Sequence, residues 1–284
     1  MDTGTPSPSQ SSYVIIVGAT ARPDGPDADG SSPLRIPVTL PPAAVVVAAD
    51  SGLDHARAAG LAVDHLVGDL DSVSPAAVER ARAGGAVVHA HAADKDATDF
   101  ELATDVVVAL ERSARCRATS VGPAKPAAGE CPDAARPRLL VLGAGGGRLD
   151  HLLADVMLLA GPLVAGYDVD AAFGSADIAI VRPGRRRSLA LRAGAQVSLL
   201  PLHGPARAVT TTGLRWPLVH ADLAPGTTRG LSNEVVGDVT VSVAEGVLAV
   251  IAPGTAAPVV APRTTAYDAS PHQIPSTPPP RSTP

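Results

Sequence analysis

The run Ala44-Val45-Val46-Val47-Ala48-Ala49 constrains the fold more than any other part of the chain. Six consecutive apolar residues leave no face for water, so a strand built from them has to be covered on both sides, as in an α/β sheet. Residues 13–17, 65–67, 86–89, 139–142 and 178–181 read as further strands. Helix signals lie between them. Residues 52–59 form a short helix, and Ser74-Pro75 opens the next, with serine as N-cap and proline at the first helical position. Thr98-Asp99-Phe100-Glu101 is a capping box opening a helix to about residue 115, and 149–159 is helical. Repeated strand–helix alternation predicts an α/β domain with a mainly parallel, three-layer sheet.

The pattern changes after Pro183. Short segments at 188–191, 196–200, 206–211, 238–243 and 247–251 alternate in polarity, punctuated by Gly and Pro, with no helix between them. They predict a small antiparallel, all-β domain. The expected organisation is therefore an α/β domain over 13–182 and a β domain over 183–252. Residues 1–12 and 253–284, rich in Pro, Ser and Thr, read as disordered tails, and 21–42 and 116–137 as loop insertions. Aromatic residues are 2% of the chain, so the core must be built from Ala, Val and Leu.

A net charge of −5 with 23 Lys and Arg argues against a nucleic-acid partner, which needs a concentrated basic surface. The single basic run, Arg185-Arg186-Arg187, reads as a solvated turn, with a nucleotide phosphate as the other possibility. Cys116 and Cys131 do not make a disulfide scaffold. Residues 1–12 carry neither a basic n-region nor an apolar h-region, so no signal peptide is expected. The nearest approach to a membrane span, 152–165, is interrupted by Asp155 and falls short of the roughly 18 residues required. No membrane partner and a cytoplasmic location are the expectation.

Three acidic clusters fall where strands hand over to helices. In Gly68-Asp69-Leu70-Asp71-Ser72 the two carboxylates of an extended chain share a face, their Cα atoms about 6–7 Å apart. They suit one Mg²⁺ with its water shell, and equally an Asx-type turn into the helix at Ser74. In Asp94-Lys95-Asp96-Ala97-Thr98-Asp99, Asp96 and Asp99 suit either metal and phosphate chemistry or the helix dipole, and Lys95 a phosphate or Asp94. Gly143-Ala144-Gly145-Gly146-Gly147-Arg148, ahead of Asp150 and His151, is either a tight turn or an anion site with an arginine fork. It is neither a Walker A loop nor a dinucleotide fingerprint, which disfavours a Rossmann dehydrogenase. Asp50 ends the second strand, where α/β sheets place ligand-binding residues, or caps the next helix. His89 and His91 lack companions for a zinc set. Trp216 is core or a stacking platform, and Ser232-Asn233-Glu234 a turn or a binding loop.

Taken together, six segments resemble the thiamine pyrophosphokinase (thiamine diphosphokinase) family. They are Ala49-Asp50-Ser51-Gly52, Gly68-Asp69-Leu70-Asp71-Ser72, Lys95-Asp96-Ala97-Thr98-Asp99, Gly146-Gly147-Arg148-Leu149-Asp150-His151, Gly213-Leu214-Arg215-Trp216-Pro217-Leu218 and Gly230-Leu231-Ser232-Asn233-Glu234, in the family's order. The resemblance implies an N-terminal α/β domain, a C-terminal β-sandwich and a homodimer. It implies that the thiamine hydroxyl attacks the β-phosphorus of ATP, giving thiamine diphosphate and AMP with Mg²⁺ as cofactor. Carried over, Asp69, Asp71 and Asp99 are the catalytic and metal carboxylates, supported by Asp50 and Asp96. Asp71 or Asp99 is then the group that takes the hydroxyl proton. Gly146, Gly147 and Arg148 hold the ATP phosphates with Asp150 and His151 nearby, and Trp216, Ser232 and Asn233 line the thiamine pocket at the dimer interface. Where the family commonly has Ala-Asp-Gly-Gly-Ala-Asn, this chain has Ser51 for the first glycine and Leu53-Asp54 for Ala-Asn.

Two other readings compete. One is diphosphoryl transfer to another small alcohol, such as a hydroxymethyl pterin, and the Trp216 and Ser232-Asn233-Glu234 segments favour thiamine over it. The other is a nucleotide- or thiamine-binding regulatory protein without turnover, which would gain little from so many clustered acids.

Overall fold

The structure is a computed structural model that describes residues 11–18, 40, 43–119, 136–143 and 148–254. Most of both expected insertions, nearly all of both tails, Gly146, Gly147 and Cys131 lie outside the described residues. The first half carries β1 (Ser12–Val17), β2 (Val45–Ala49), α1 (Gly52–Ala58), β3 (His65–Gly68), α2 (Pro75–Ala83), β4 (Val87–Ala90), α3 (Asp99–Thr119), β5 (Arg138–Gly143) and α4 (Leu149–Ala160). The second half is all β: β6 (Asp168–Phe173), β7 (Ala176–Val181), β8 (Arg186–Leu189), β9 (Gln196–Leu214), β10 (Ala221–Leu223), β11 (Asn233–Ser242) and β12 (Glu245–Ala252).

The strands join in the order β4-β3-β2-β1-β5-β6-β7-β12-β9-β11-β8, with β10 on β9. Strands β4 to β6 in that order pair in parallel. From the β6–β7 pair onward the ladders through β12 to β9 are antiparallel. The sheet is therefore mixed, a coarser outcome than the mainly parallel, three-layer sheet expected.

Alternation along β1 explains why its flanks are covered. Tyr13, Ile15 and Val17 pack with Phe100, Ala103, Val107 and Leu110 of α3, while Val14 and Ile16 pack with Val46 and with Ala56 of α1. Ile15, Ile16, Val46, Val47 and Ala48 have no exposed surface, as the unbroken apolar run requires. Fully burying one such Val or Ile contributes about 1.5–3 kcal/mol.

Two parts of the second half differ from expectation. Strand β6 leaves no apolar run in the sequence because Asp168 and Asp170 interrupt it. Their charges are met by the basic run: Arg185 reaches Asp168 at 3.0 Å, and Arg187 bonds Asp170. Arg185 and Arg187 are thus ionic partners of β6, while Arg186 at the start of β8 is exposed. The segments expected at 196–200 and 206–211 are one strand, β9. Pro201, Gly204 and Pro205 break its pattern, and His203 (φ 58°), Gly204 (φ 149°) and Ala208 (φ 50°) bend it from β12 toward β10 and β11.

Candidate active site

Ala49, Val17 and Gly143 lie level across β2, β1 and β5, and Val67 of β3 is level with Ala49. The loops leaving these strands therefore open on one carboxyl edge. Strand order reverses beside β1, with β2 to its one side and β5 to the other. Open α/β sheets bind their ligands at such a switch point.

Asp50 follows β2 directly. Its φ of 43° turns the chain sharply, its N–H donates to Val67 O at 2.8 Å, and its carbonyl accepts the Leu53 N–H that starts α1. Gly68 closes β3 with φ +149°; a Cβ there would stand 3.1 Å from both Asp50 Cβ and Asp99 Oδ1. Only glycine lets the acids approach this closely. Asp69 comes next, and Asp99 arrives from across the sheet as the first residue of α3, whose start is fixed by the Glu101 N–H on Thr98 Oγ1 at 3.2 Å.

Carboxylate oxygens of Asp50, Asp69 and Asp99 all lie within 4.8 Å of one another. Lys95 Nζ stands between two of them, 2.9 Å from Asp69 Oδ2 and 3.0 Å from Asp99 Oδ1. Asp50 is buried, and its Oδ1 has no hydrogen-bond donor. Burial raises the Asp50 pKa, the Ser72 hydroxyl and Ser51 N–H oppose this, and the Asp99 and Asp69 charges reinforce it. The Lys95 ammonium, against the opposing effect of desolvation, holds Asp69 below the ordinary carboxylate range. Burial works against the charge on Lys95, but Asp69 and Asp99 outweigh it and raise its pKa. A buried carboxylate oxygen without a donor, facing two more carboxylates, suits a small divalent cation with oxygen ligands.

Asp71 stands outside this trio. Its side chain does not share a strand face with Asp69, because β3 ends at Gly68 and Leu70 turns left-handed at φ 64°. The Asp71 N–H points to Asp69 Oδ1 at 3.4 Å, the Asx-type turn, and the exposed Asp71 carboxylate accepts the Ser72 hydroxyl at 2.9 Å. Asp96 is exposed and is not among the gathered carboxylates. Arg148 precedes α4 and forks onto Asp150, with Nε 3.1 Å from Oδ1, which lowers the Asp150 pKa to about 2. His151 is exposed beside them.

In the β half, Trp216 is 58% exposed, so it is not core. The Arg215 guanidinium lies 5.3 Å from the centre of its ring and pairs with Glu234 at 2.8 Å. Asn233 is buried and opens β11. Its Oδ1 accepts the N–H groups of Trp216 (3.1 Å) and Glu234 (2.9 Å), and its Nδ2 donates to Trp216 O at 2.7 Å. Asn233 thus clamps both backbone groups of Trp216. Ser232, at φ 56°, is exposed, and its N–H donates to Ser198 Oγ.

Sequence profiles match both halves. Thiamin pyrophosphokinase, catalytic domain, matches residues 38–168, and thiamin pyrophosphokinase, vitamin B1 binding domain, matches 186–248. The chain belongs to the thiamin pyrophosphokinase family. It is 26% identical over 206 residues to the thiamine pyrophosphokinase of Bacillus subtilis (strain 168), covering 72% of this chain and 85% of that one. The crystal structure of thiamine pyrophosphokinase from Bacillus subtilis shares the fold at a TM-score of 0.62 and 22% identity, over 87% of this chain and 100% of its own. That of thiamin pyrophosphokinase from Geobacillus thermodenitrificans has a TM-score of 0.58 at 26% identity, over 85% and 97%.

The sequence gives little sign of Gly18 or of the spatial role of Lys95. A Cβ on Gly18 would fall 1.7 Å from Ser51 Oγ, so the glycine makes room for the serine that departs from the family pattern. Its only signal was a glycine directly after an apolar strand. The sequence offers Lys95 a phosphate or its neighbour Asp94, whereas folding hands it to Asp69, 26 residues earlier in the chain.

Proposed function

We propose that this thiamin pyrophosphokinase family member transfers the diphosphoryl group of ATP to the hydroxyl of thiamine, giving thiamine diphosphate and AMP. The observation that carries the reading is the gathering of Asp50, Asp69 and Asp99 around a donor-free buried oxygen at the carboxyl edge of the sheet. Asp50, Asp69 and Asp99 would hold Mg²⁺, which when bound neutralises polyphosphate charge. Arg148, which leaves the switch point and starts α4, turns its guanidinium from Asp150 to the phosphates, and Gly146 and Gly147 offer backbone N–H groups to them. Asp50 and Asp96 flank the nucleotide, with Asp150 and His151 at its edge.

The thiamine oxygen forms a bond to the β-phosphorus while the bond from that phosphorus to the α,β-bridging oxygen breaks, and AMP leaves with that oxygen. In this reading Asp71, outside the cation-holding trio, would take the hydroxyl proton. Trp216 presents an exposed ring, supported by Asn233, on which a cationic thiazolium can stack, and Ser232 lies beside it. The catalytic part then spans 13–182 and the thiamine-binding β-sandwich 183–252, with profile matches on either side of that boundary.

A homodimer completes the pocket in this reading. Its support is the outer face of α4, where Leu149, Leu153 and Met157, four residues apart, are 68%, 57% and 40% exposed. Such a stripe on a short helix calls for a partner surface. No helix among the described residues is long and apolar enough to cross a membrane, and a reaction that consumes ATP fits the cytoplasm.

The test is turnover of Asp69→Asn against Asp71→Asn. Asp69→Asn removes a charge from the trio and is expected to lower kcat by about 10²-fold or more, the loss typical of removing one electrostatic stabiliser. Asp71→Asn is expected to lower kcat with a changed pH profile. Near-normal turnover in Asp69→Asn would remove the trio from the reaction.

A further inference from the structure

Lys95 occupies the place where a cation shared by Asp69 and Asp99 would sit, with its Nζ 2.9 and 3.0 Å from their oxygens. It is a filled position rather than a neighbouring one: Asp69 accepts a hydrogen bond from the ammonium, Asp99 Oδ1 lies in ion-pair contact with it, and the Lys95 side chain is only 16% exposed. Asp50 Oδ1 and Asp99 Oδ1 are the trio's buried oxygens without a hydrogen-bond donor, the Asp99 atom meeting Lys95 as an ion pair alone. Mg²⁺ binds oxygens at about 2.0–2.1 Å, far closer than an ammonium does. Two carboxylates cannot close to that distance around a divalent ion and keep Lys95 between them, because two cations sharing the same oxygens repel.

We infer that Lys95 is a resident counter-ion that a divalent cation must displace, so that metal enters this site together with a polyphosphate rather than ahead of it. The inference rests on the diphosphoryl-transfer reading of the site. Lys95 lies between β4 and α3, outside any helix or strand, so its side chain can swing away without unwinding an element. Once displaced it has lost two carboxylates, and a buried or half-buried ammonium without an anion is costly. A polyphosphate arriving with the metal supplies the replacement anion; a bare metal ion does not. Free metal is therefore disfavoured, and the metal–nucleotide pair is selected.

The test is direct binding of Mn²⁺, followed by electron paramagnetic resonance on the full chain. It compares the unsubstituted protein with Lys95→Met and Lys95→Gln, each with and without ATP carrying a methylene bridge between the α- and β-phosphorus. The unsubstituted protein should bind Mn²⁺ weakly alone and at least tenfold more tightly with the analogue. Both variants should bind Mn²⁺ alone at least tenfold more tightly than the unsubstituted protein, and gain less from the analogue. Two variants guard against one failing to fold, and a Mn²⁺-dependent rise in Tm larger than that of the unsubstituted protein is expected in whichever folds. Equal Mn²⁺ affinity in all three nucleotide-free proteins overturns the role of Lys95 while leaving the metal site intact. No Mn²⁺ uptake by any of them, with or without the analogue, overturns the metal reading itself and this inference with it.

Discussion

A carboxylate is defined by what donates to it, and the aspartates of this site divide on that basis. Asp69 accepts a hydrogen bond from Lys95, Asp50 and Asp99 each keep a buried oxygen without a hydrogen-bond donor although Asp99 also meets Lys95 as an ion pair, and Asp71 takes a serine hydroxyl outside the group. The same logic separates Asn233 from Trp216. The Asn233 oxygen is filled by two backbone N–H groups, so under the proposed function its part in thiamine binding is to position Trp216. Asn233→Ala is expected to raise KM for thiamine several-fold with KM for ATP little changed, and to cost about 1–3 kcal/mol of stability by leaving buried backbone groups unpaired. Steady-state kinetics with each substrate varied, alongside denaturant unfolding, checks this; an equal rise in both KM values would assign Asn233 to the fold alone. The acids are readable in the sequence because they follow strands, whereas Trp216 reads equally as core or platform until its exposure is known. Their pairing was not, because Asp50, Asp69 and Lys95 meet only through strand register. Asp155 offers a test apart from the site. Burial pushes its carboxyl up to about 6, with His151 pulling the other way. A raised pKa means that the fold favours the protonated form. That contribution is present in full below the unfolded value of 3.8 and lost as pH rises through about 6. Asp155→Asn should therefore raise Tm at pH 7.5 and change it little at pH 4; thermal melts at both values check it, and an equal change at both contradicts it.

At the scale of elements, local signals and long-range pairing part company in the same way. Ser74-Pro75 and Thr98 start α2 and α3 where their capping chemistry says they should, because a cap is a bond within three residues. Strand β6 was hidden because two aspartates sit in a buried strand, tolerable only beside arginines that arrive about 17 residues later. The prolines and left-handed residues of β9 mark bends within a strand as readily as its ends, so its pattern reads as two strands. Helix α4 carries a prediction of its own. Its outer stripe is the proposed contact of a homodimer, so Leu153→Glu is expected to shift the protein from dimer to monomer in sedimentation velocity without loss of helix content. A dimer as tight as that of the unsubstituted chain would move the interface elsewhere.

For the whole molecule, one mixed sheet runs from the strands that lead into the acids, β2 and β3, to the β half that carries Trp216. The strand–helix alternation and the switch to short β segments made that two-part layout legible. The continuity of the sheet across it was not legible, because β7 and β12 are about 70 residues apart in sequence and pair only in the folded chain. The central claim is that both halves serve one reaction. It is tested most directly by incubating the purified protein with thiamine, ATP and Mg²⁺ and measuring AMP and thiamine diphosphate together. The account predicts the two products in equal amounts, with no ADP formed. ADP in place of AMP, or bound thiamine with no product at high protein concentration, would contradict it.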